Sequence, residues 1–332
     1  LERHIVTFSR NVFIPLTDFC RNSCGYCCFR RNHLILTPGQ VEEILEKGLE
    51  MGCTEALFTF GERPEEVPGF RERLETLGYQ DMVSYLWDMC RLALEIGLLP
   101  HSNPGVLDRG ELETLGEVNA SMGLMLETTA RVEAHRLSPG KNPEVRLEVL
   151  RNAGRLKIPF TTGLLLGIGE TREDRIRSLV EIARVQRRYG NIQEVIIQNF
   201  TPKPNTPMAA WKPPGFAEIE DTVMLARQIL PSDVSIQVPP NLNQPQGLKR
   251  LLEKGVNDLG GISPVTIDYI NPEARWPEVD EIESILPGGW RLRERLAIYP
   301  RYIKKGWYSK RVEPLIHRYA DKEGYKNIPT TL

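Results

Sequence analysis

Val12-Phe13-Ile14-Pro15-Leu16 runs through Thr17-Asp18 into Phe19-Cys20-Arg21-Asn22-Ser23-Cys24-Gly25-Tyr26-Cys27. A strand-sized apolar run is thus followed at once by a loop whose cysteines are spaced C-x3-C-x2-C. Three thiolates on one short loop hold three irons of a cubane cluster and leave the fourth iron without a protein ligand. An open iron can bind a small molecule and pass it an electron, unlike the closed four-cysteine cluster of an electron carrier. Paired C-x2-C units of a zinc ribbon are absent from this loop, and a structural zinc site takes four closed ligands. Cys28 follows Cys27 directly and is poorly placed to turn toward the same metal. Cys53 and Cys90 lie in apolar, helix-like surroundings and read as small core residues. The alternative is a zinc site or a set of reduced cytosolic thiols.

The chain has 332 residues, of which 41% are hydrophobic and 26% charged, which suits a globular protein with a large core. Net charge is -2 with no long basic run, so nucleic acid is not an expected partner. No stretch is apolar enough to span a membrane, and none reads as a secretory signal. Six cysteines without regular pairing indicate a reducing, cytoplasmic setting.

Working outward, short apolar runs alternate with longer amphipathic segments. Strands are expected at 12–16, 55–60, 98–102, 121–126, 160–166, 194–199, 234–238 and 256–260. Helices are expected at 37–48, 82–96, 109–117, 143–156, 172–189, 217–229 and 246–253. Thr37-Pro38 is a helix start with proline at the first position. A charged, Gly/Pro-punctuated insertion covers 61–80, and a Pro-rich loop runs to Pro214. This alternation predicts an α/β fold, a (β/α)8 TIM-like barrel over residues 1–270. Residues 271–332 are expected to form a C-terminal helical extension packed on the barrel, with Trp276, Trp290 and Trp307 as packing residues. The charged face of 172–188 reads as solvated surface.

In such barrels the strand C-termini and the loops after them form the active face. The cysteine loop follows the first strand, and polar or glycine features follow most others: Gly61-Glu62, Ser102-Asn103, Glu127-Thr128, Gly167-Ile168-Gly169-Glu170, Gln198-Asn199 and Asn241.

The cysteine pattern resembles that of the radical S-adenosylmethionine (SAM) superfamily. The resemblance implies a [4Fe-4S] cluster on Cys20, Cys24 and Cys27, with SAM on the open iron. One electron then cleaves the sulfonium to methionine and a 5′-deoxyadenosyl radical, which abstracts hydrogen from substrate. Carried over residue by residue, Gly61-Glu62 resembles the end of the Gly-Gly-Glu motif that meets the SAM ammonium, with Phe60 in place of the first glycine. Gly163-x-Leu165-x-Gly167-x-x-Glu170 resembles the element that packs near adenine, with leucine for isoleucine. Tyr26 offers an aromatic face beside the third ligand, Glu127 resembles an acidic strand-four contact to SAM, and Arg146 stands where relatives place an arginine for the SAM carboxylate. Each has a plain alternative as a turn or surface residue.

Segments 198–208 and 257–266, with Gly61-Glu62-Arg63-Pro64-Glu65 and Phe13-Ile14-Pro15-Leu16-Thr17, are similar to the deazaflavin-forming radical SAM enzymes of the CofG type, over residues 12–273. That resemblance implies a lyase that cyclises a tyrosine–diaminouracil adduct, made by a separate CofH-type partner enzyme, to a deazaflavin with loss of ammonia. A low-potential electron donor is implied as well. Amides such as Asn103, Gln198 and Asn241 suit a pyrimidine or polyol. Proton transfers could fall to His101, Glu62 or Asp258, while His4, His33, His135 and His317 carry no motif. The rivals are another radical SAM enzyme of similar build (CofH-like, an aminofutalosine-type cyclase or a hydrogenase-maturation relative) and a non-catalytic iron–sulfur protein.

Overall fold

The computed structural model describes residues 4–327. Nine strands and eleven α-helices follow one another along these residues. They are β1 (Ile5–Pro15), α1 (Pro38–Glu50), β2 (Glu55–Thr59), α2 (Phe70–Thr76), α3 (Met82–Ile96), β3 (Leu99–Asn103), α4 (Arg109–Gly116), β4 (Ser121–Gly123), α5 (Pro143–Arg155) and β5 (Phe160–Leu166). Then come α6 (Arg172–Tyr189), β6 (Ile192–Asn199), α7 (Phe216–Ile229), β7 (Ser235–Gln237), α8 (Pro245–Glu253), β8 (Asp258–Ile262), α9 (Val279–Ile285), β9 (Arg291–Glu294), α10 (Pro300–Lys305) and α11 (Glu313–Tyr319). Strands β1 to β8 pair in parallel in chain order, and β1 pairs with both β2 and β8, which closes the (β/α)8 barrel. Among the described residues no helix is long and apolar enough to cross a membrane.

Helix starts follow the local chemistry. Thr37 caps α1 by accepting from the Gln40 amide, while the Thr37 amide donates to Gln40 Oε1 at 2.9 Å and Pro38 fills the first position. Thr171 and Asp174 build the same reciprocal cap on α6.

Strand alternation sets what the barrel contains. On β1, Val12 and Ile14 are buried on the helix side, while Ser9, Asn11 and Phe13 face the interior. On β2, Ala56 and Phe58 pack outward and Glu55, Leu57 and Thr59 inward; on β6, Val195 and Ile197 pack outward and Glu194, Ile196 and Gln198 inward. The apolar half of each strand thus goes to the strand–helix layer. In place of the usual packed layers of branched side chains, the interior holds a cavity of about 400 Å³.

Several boundaries differ from the sequence expectation. β1 begins at Ile5, and β8 lies two residues later than expected. β4 stops at Gly123; beyond it Glu127 takes a left-handed conformation at φ 64° and keeps only an isolated bridge to Leu164. The tail is not purely helical. β9 pairs in parallel with Ile5–Phe8, below the stretch of β1 that pairs with β2. Its alternating Arg-Leu-Arg-Glu reads as a solvated segment, which hid it. Trp290 stacks on His4 and Trp307 on Tyr302, whereas Trp276 also edges the cavity.

After β9 the chain runs under the N-terminal end of the barrel and closes it. Leu296, Ile298 and Tyr302 join an apolar cluster there with Leu99 and Ala120. Arg295 points inward and is held by Asp258 through Nε at 2.7 Å and Nη2 at 3.0 Å. Its Nη2 also lies 3.5 Å from Glu194, whose other contacts are the Tyr299 hydroxyl and Thr161 hydroxyl, both at 2.7 Å. Removing one partner of a buried ion pair leaves an uncompensated charge. Arg295→Ala is therefore expected to cost about 3–5 kcal/mol, measured as a lower denaturant midpoint, with part of the loss recovered when Asp258→Leu is added. A single-variant cost below about 1 kcal/mol, in the range of an exposed pair, would remove the floor network from this account.

Candidate active site

The C-x3-C-x2-C loop leaves β1 at the C-terminal end of the barrel and is tied down from several sides. The Asp18 carboxylate accepts the amides of His33 at 2.8 Å and Leu34 at 2.9 Å. The Gly61 amide donates to Thr17 O at 3.0 Å, Arg21 N to Glu62 O at 2.9 Å, and Glu62 N to Cys20 Sγ at 3.2 Å. Gly25 N donates to Ala134 O at 2.8 Å, and the Ser138 hydroxyl to Cys24 Sγ at 3.2 Å. The loop after β2 and the loop after β4 therefore hold the cysteine loop between them. Gly61 is required by contact: a Cβ there would lie 1.9 Å from Phe19 O and 2.7 Å from Cys20 Cβ.

Cys20, Cys24 and Cys27 are free thiols that open on the barrel cavity. Cys28 also edges it, but its sulfur contacts Ile270 O at 3.7 Å. Two anionic groups stand beside the thiols. Glu62 accepts from Arg21 Nε at 3.0 Å and Val106 N at 3.2 Å, and lies 3.8 Å from Arg146 Nη1. Burial alone would raise its carboxyl, but Arg146, Asn22, Arg21 and Lys141 together hold it below the ordinary value. Gly105 and Gly140 give it room, since a Cβ on either would overlap its carboxyl end. Glu127 binds the Tyr26 hydroxyl at 2.5 Å, His135 Nε2 at 2.9 Å and the Lys141 ammonium. Burial opposes its charge, yet Lys141, His135 and Arg146 hold it well below the usual range.

Arg146 is 3% exposed, and its Nε and Nη1 have no hydrogen-bond partner although both are buried. A guanidinium left with open donors beside a cavity is a built receptor for a carboxylate. It is not the solvated helix residue that the sequence also allowed. Gly167 and Glu170 stand elsewhere. Neither lines the cavity, and Glu170 accepts the amides of Gly167 and Ile168 and Arg175 Nε at 2.9 Å. These residues shape the turn after β5. Arg175 is buried there, so the charged face of α6 is not wholly solvated.

Asn103, Gln198 and Asn241 all line the cavity, as does His101. The Ser121 hydroxyl gives its single hydrogen to Ala297 O at 2.5 Å, so its oxygen accepts Nδ1–H of His101 at 2.6 Å. Nε2 of His101 is thereby left as an acceptor. Burial and Arg295 push His101 down to about 3, so it stays neutral and is a weak base. Asp258 lies at the N-terminal end of β8, fully buried against Arg295, and is absent from the cavity wall. That position is the stability face of the barrel rather than the face that carries chemistry. Sequence reasoning missed His135, Lys141 and Arg295. The first two lie in the loop after the short fourth strand, where position was the available signal. Arg295 comes from a segment that gave none.

The model of the Radical SAM superfamily matches residues 14–182. The chain is 58% identical to the 7,8-didemethyl-8-hydroxy-5-deazariboflavin synthase of Methanococcoides burtonii, over 97% of this chain and 98% of that one. It is 53% identical to the synthase of the same name from Archaeoglobus fulgidus, over 97% and 98%. The chain belongs to the radical SAM superfamily, among the 7,8-didemethyl-8-hydroxy-5-deazariboflavin synthases. Solved structures superpose on most of this chain. The [FeFe]-hydrogenase maturase HydG superposes with a TM-score of 0.71 at 16% identity, over 95% of this chain and 69% of that one. Methylornithine synthase (PylB) superposes with a TM-score of 0.61 at 20% identity, over 94% and 81%. These two share the fold. Membership in the superfamily brings SAM and a [4Fe-4S] cluster as cofactors, and decides against the zinc and free-thiol alternatives.

The contact at Gly61 gives a test. Gly61→Ala forces the backbone of the cysteine loop to move, and overpacking of this kind costs about 1–3 kcal/mol. The expected outcome is unchanged far-ultraviolet dichroism with a clear drop in iron and sulfide bound after anaerobic reconstitution. Full cluster loading in this variant would show that the loop does not depend on that contact.

Proposed function

We propose that this chain is a radical SAM ammonia lyase that cyclises 5-amino-5-(4-hydroxybenzyl)-6-(D-ribitylimino)uracil to 7,8-didemethyl-8-hydroxy-5-deazariboflavin. The observation that carries the proposal is identity of 53–58% to synthases of that product along nearly the whole length of both chains. The geometry supports it, because three thiols, an open guanidinium and two fixed carboxylates border one cavity.

In this reading Cys20, Cys24 and Cys27 hold the cluster. Arg146 binds the SAM carboxylate through its unpartnered nitrogens, and Glu62 meets the SAM ammonium. Gly61 lets the strand approach the cysteine loop. Tyr26 and Glu127, locked to each other and to Lys141 and His135, wall the site next to the thiols. When bound, the cluster and SAM supply one-electron chemistry that removes a hydrogen atom from the substrate. The chain's own work is to hold the substrate carbon beside that chemistry, to keep bulk water out with the loops after β1, β4 and β6, and to accept hydrogen bonds from the substrate. Asn103, Gln198 and Asn241 present amides to it. His101 contributes a neutral acceptor rather than a carried proton. Glu62 stays ionised, which suits ammonium binding better than acid catalysis. Gly167 and Glu170 support the site by shaping the turn behind Leu165, and Asp258 anchors the floor through Arg295.

A separate CofH-type enzyme would supply the adduct and a low-potential donor the electron, as the resemblance to these synthases implies. The test is anaerobic reconstitution with iron and sulfide, followed by SAM, reductant and adduct. Deazaflavin fluorescence is expected from the wild type, with a loss of at least about 1,000-fold, within the range of rate enhancement enzymes supply, in Cys24→Ala. Formation of 5′-deoxyadenosine without deazaflavin would contradict the substrate. Neither product from a cluster-loaded, reduced sample would contradict the activity.

A further inference from the structure

The lower half of the cavity is polar in an unusual way. Ser9, Asn11, Glu55, His101, Asn103, Thr161, Glu194, Gln237 and Arg295 line it. The Ser9 hydroxyl, Asn11 Oδ1, Glu55 Oε2 and Asn103 Oδ1 are buried without a hydrogen-bond partner. Ser9 is 1% exposed, Asn11 2% and Glu55 5%. Each orphaned polar atom in a protein interior carries a desolvation cost that a partner would remove.

Neighbouring strands are shaped around these groups. A Cβ on Gly261 would lie 1.9 Å from Asn11 Nδ2, one on Gly123 2.2 Å from Asn103 Oδ1, and one on Gly260 2.1 Å from Gln237 Nε2. Glycine on β4 and β8 thus lets three amides lie flat along the barrel wall instead of being crowded out.

Two residues further along the same strands the lining changes. Asn11 gives way to Phe13, Glu55 to Leu57 and Glu194 to Ile196, all facing the cavity. From bottom to top the cavity therefore has a polar floor, an apolar belt and the thiol-lined mouth. A phenol ring brings one hydroxyl and a large apolar face, which suits the belt. The floor instead offers several acceptors on different strands: Asn11 Oδ1, Glu55 Oε2 and His101 Nε2, with the Ser9 hydroxyl among them and Asn103 Oδ1 at its upper edge. A ligand with several hydroxyl donors on a flexible chain matches that set.

We propose that the barrel floor is a subsite for an acyclic polyol, the ribityl chain of the substrate, held by Ser9, Asn11, Glu55 and His101, with Asn103 at its upper edge. This rests on the function proposed above and adds the orientation of the substrate: polyol down, rings in the apolar belt, reacting carbon toward the thiols. Burial raises the Glu55 carboxyl against the pull of Arg295. Ser9 and Asn11 are specificity-determining in this scheme, and neither takes part in the chemistry.

The test compares two substrates. One is the ribityl adduct; the other carries methyl in place of ribityl. Both are assayed for deazaflavin chromophore formation with the wild type, Ser9→Ala and the double variant Ser9→Ala/Asn11→Ala, all as cluster-loaded enzyme. The ratio of kcat/KM for ribityl over methyl substrate is the readout. It is expected to fall about tenfold in the double variant and about threefold in Ser9→Ala, the worth of lost neutral hydrogen bonds. Ser9→Ala deletes one hydroxyl and leaves the strand and its amide neighbours in place, so it carries the test should the double variant fold poorly. An unchanged ratio, with the wild type making deazaflavin from the ribityl adduct, would overturn the floor subsite alone. A wild type that makes no deazaflavin from the ribityl adduct would overturn the function and the subsite together.

Discussion

The Arg295 guanidinium, buried beneath the barrel and gripped by Asp258, is the interaction on which the rest of the structure depends. A parallel barrel whose interior is not filled with branched side chains must be sealed at one end, or it becomes a pore. Here the seal is a segment far along the chain, brought in by the pairing of β9 with β1. A charge in that place is tolerable only because it is shared. Asp258 takes two of its N–H groups and Glu194 lies within reach of Nη2. Burial, against the pull of Arg295, pushes Glu194 up to about 7.

Once the floor is closed, the division of labour along each strand follows. Outward positions supply the apolar surface that the helices cover, and inward positions are released from packing. They form a polar floor, an apolar belt and a mouth bordered by thiols. The chemistry is set at the mouth by backbone contacts more than by side chains. Gly61 lies so close to Phe19 that the second loop and the cysteine loop behave as one unit, with Glu62 fixed on one side of the thiols and Glu127 on the other. Strain at Glu127, a non-glycine residue at φ 64°, is held by three side-chain contacts, a common situation at working sites.

Much of this was legible in the sequence because it is local. Cysteine spacing needs no tertiary context, and neither do the Thr37-Pro38 and Thr171 helix starts. The strand–helix alternation located all eight barrel strands to within a few residues, except for the early start of β1. What was illegible depends on distant partners. Arg295 and Glu194 are 101 residues apart, and nothing near Arg295 signals burial. Arg146 sits on an amphipathic helix whose pattern allowed exposure, and only the fold shows its donors unpartnered. Glu170 fitted a motif, yet its carboxylate is spent on its own turn and on Arg175. Asp258 was a candidate for proton transfer in the middle of an expected strand at 256–260, but the strand runs two residues later and puts it at the far end. His135 lacked a motif because it meets Glu127 eight residues back in its own loop and Tyr26 from the cysteine loop.

In the proposed function the cysteine loop leaves one iron open, and Arg146 and Glu62 receive the two charged ends of an amino acid moiety. Hyperfine spectroscopy of the reduced, reconstituted protein with SAM labelled with nitrogen-15 at the amino group tests this most directly. A nitrogen coupling to the cluster that changes with the label is expected. A fully loaded cluster whose spectrum is the same with and without SAM, and shows no such coupling, would contradict it.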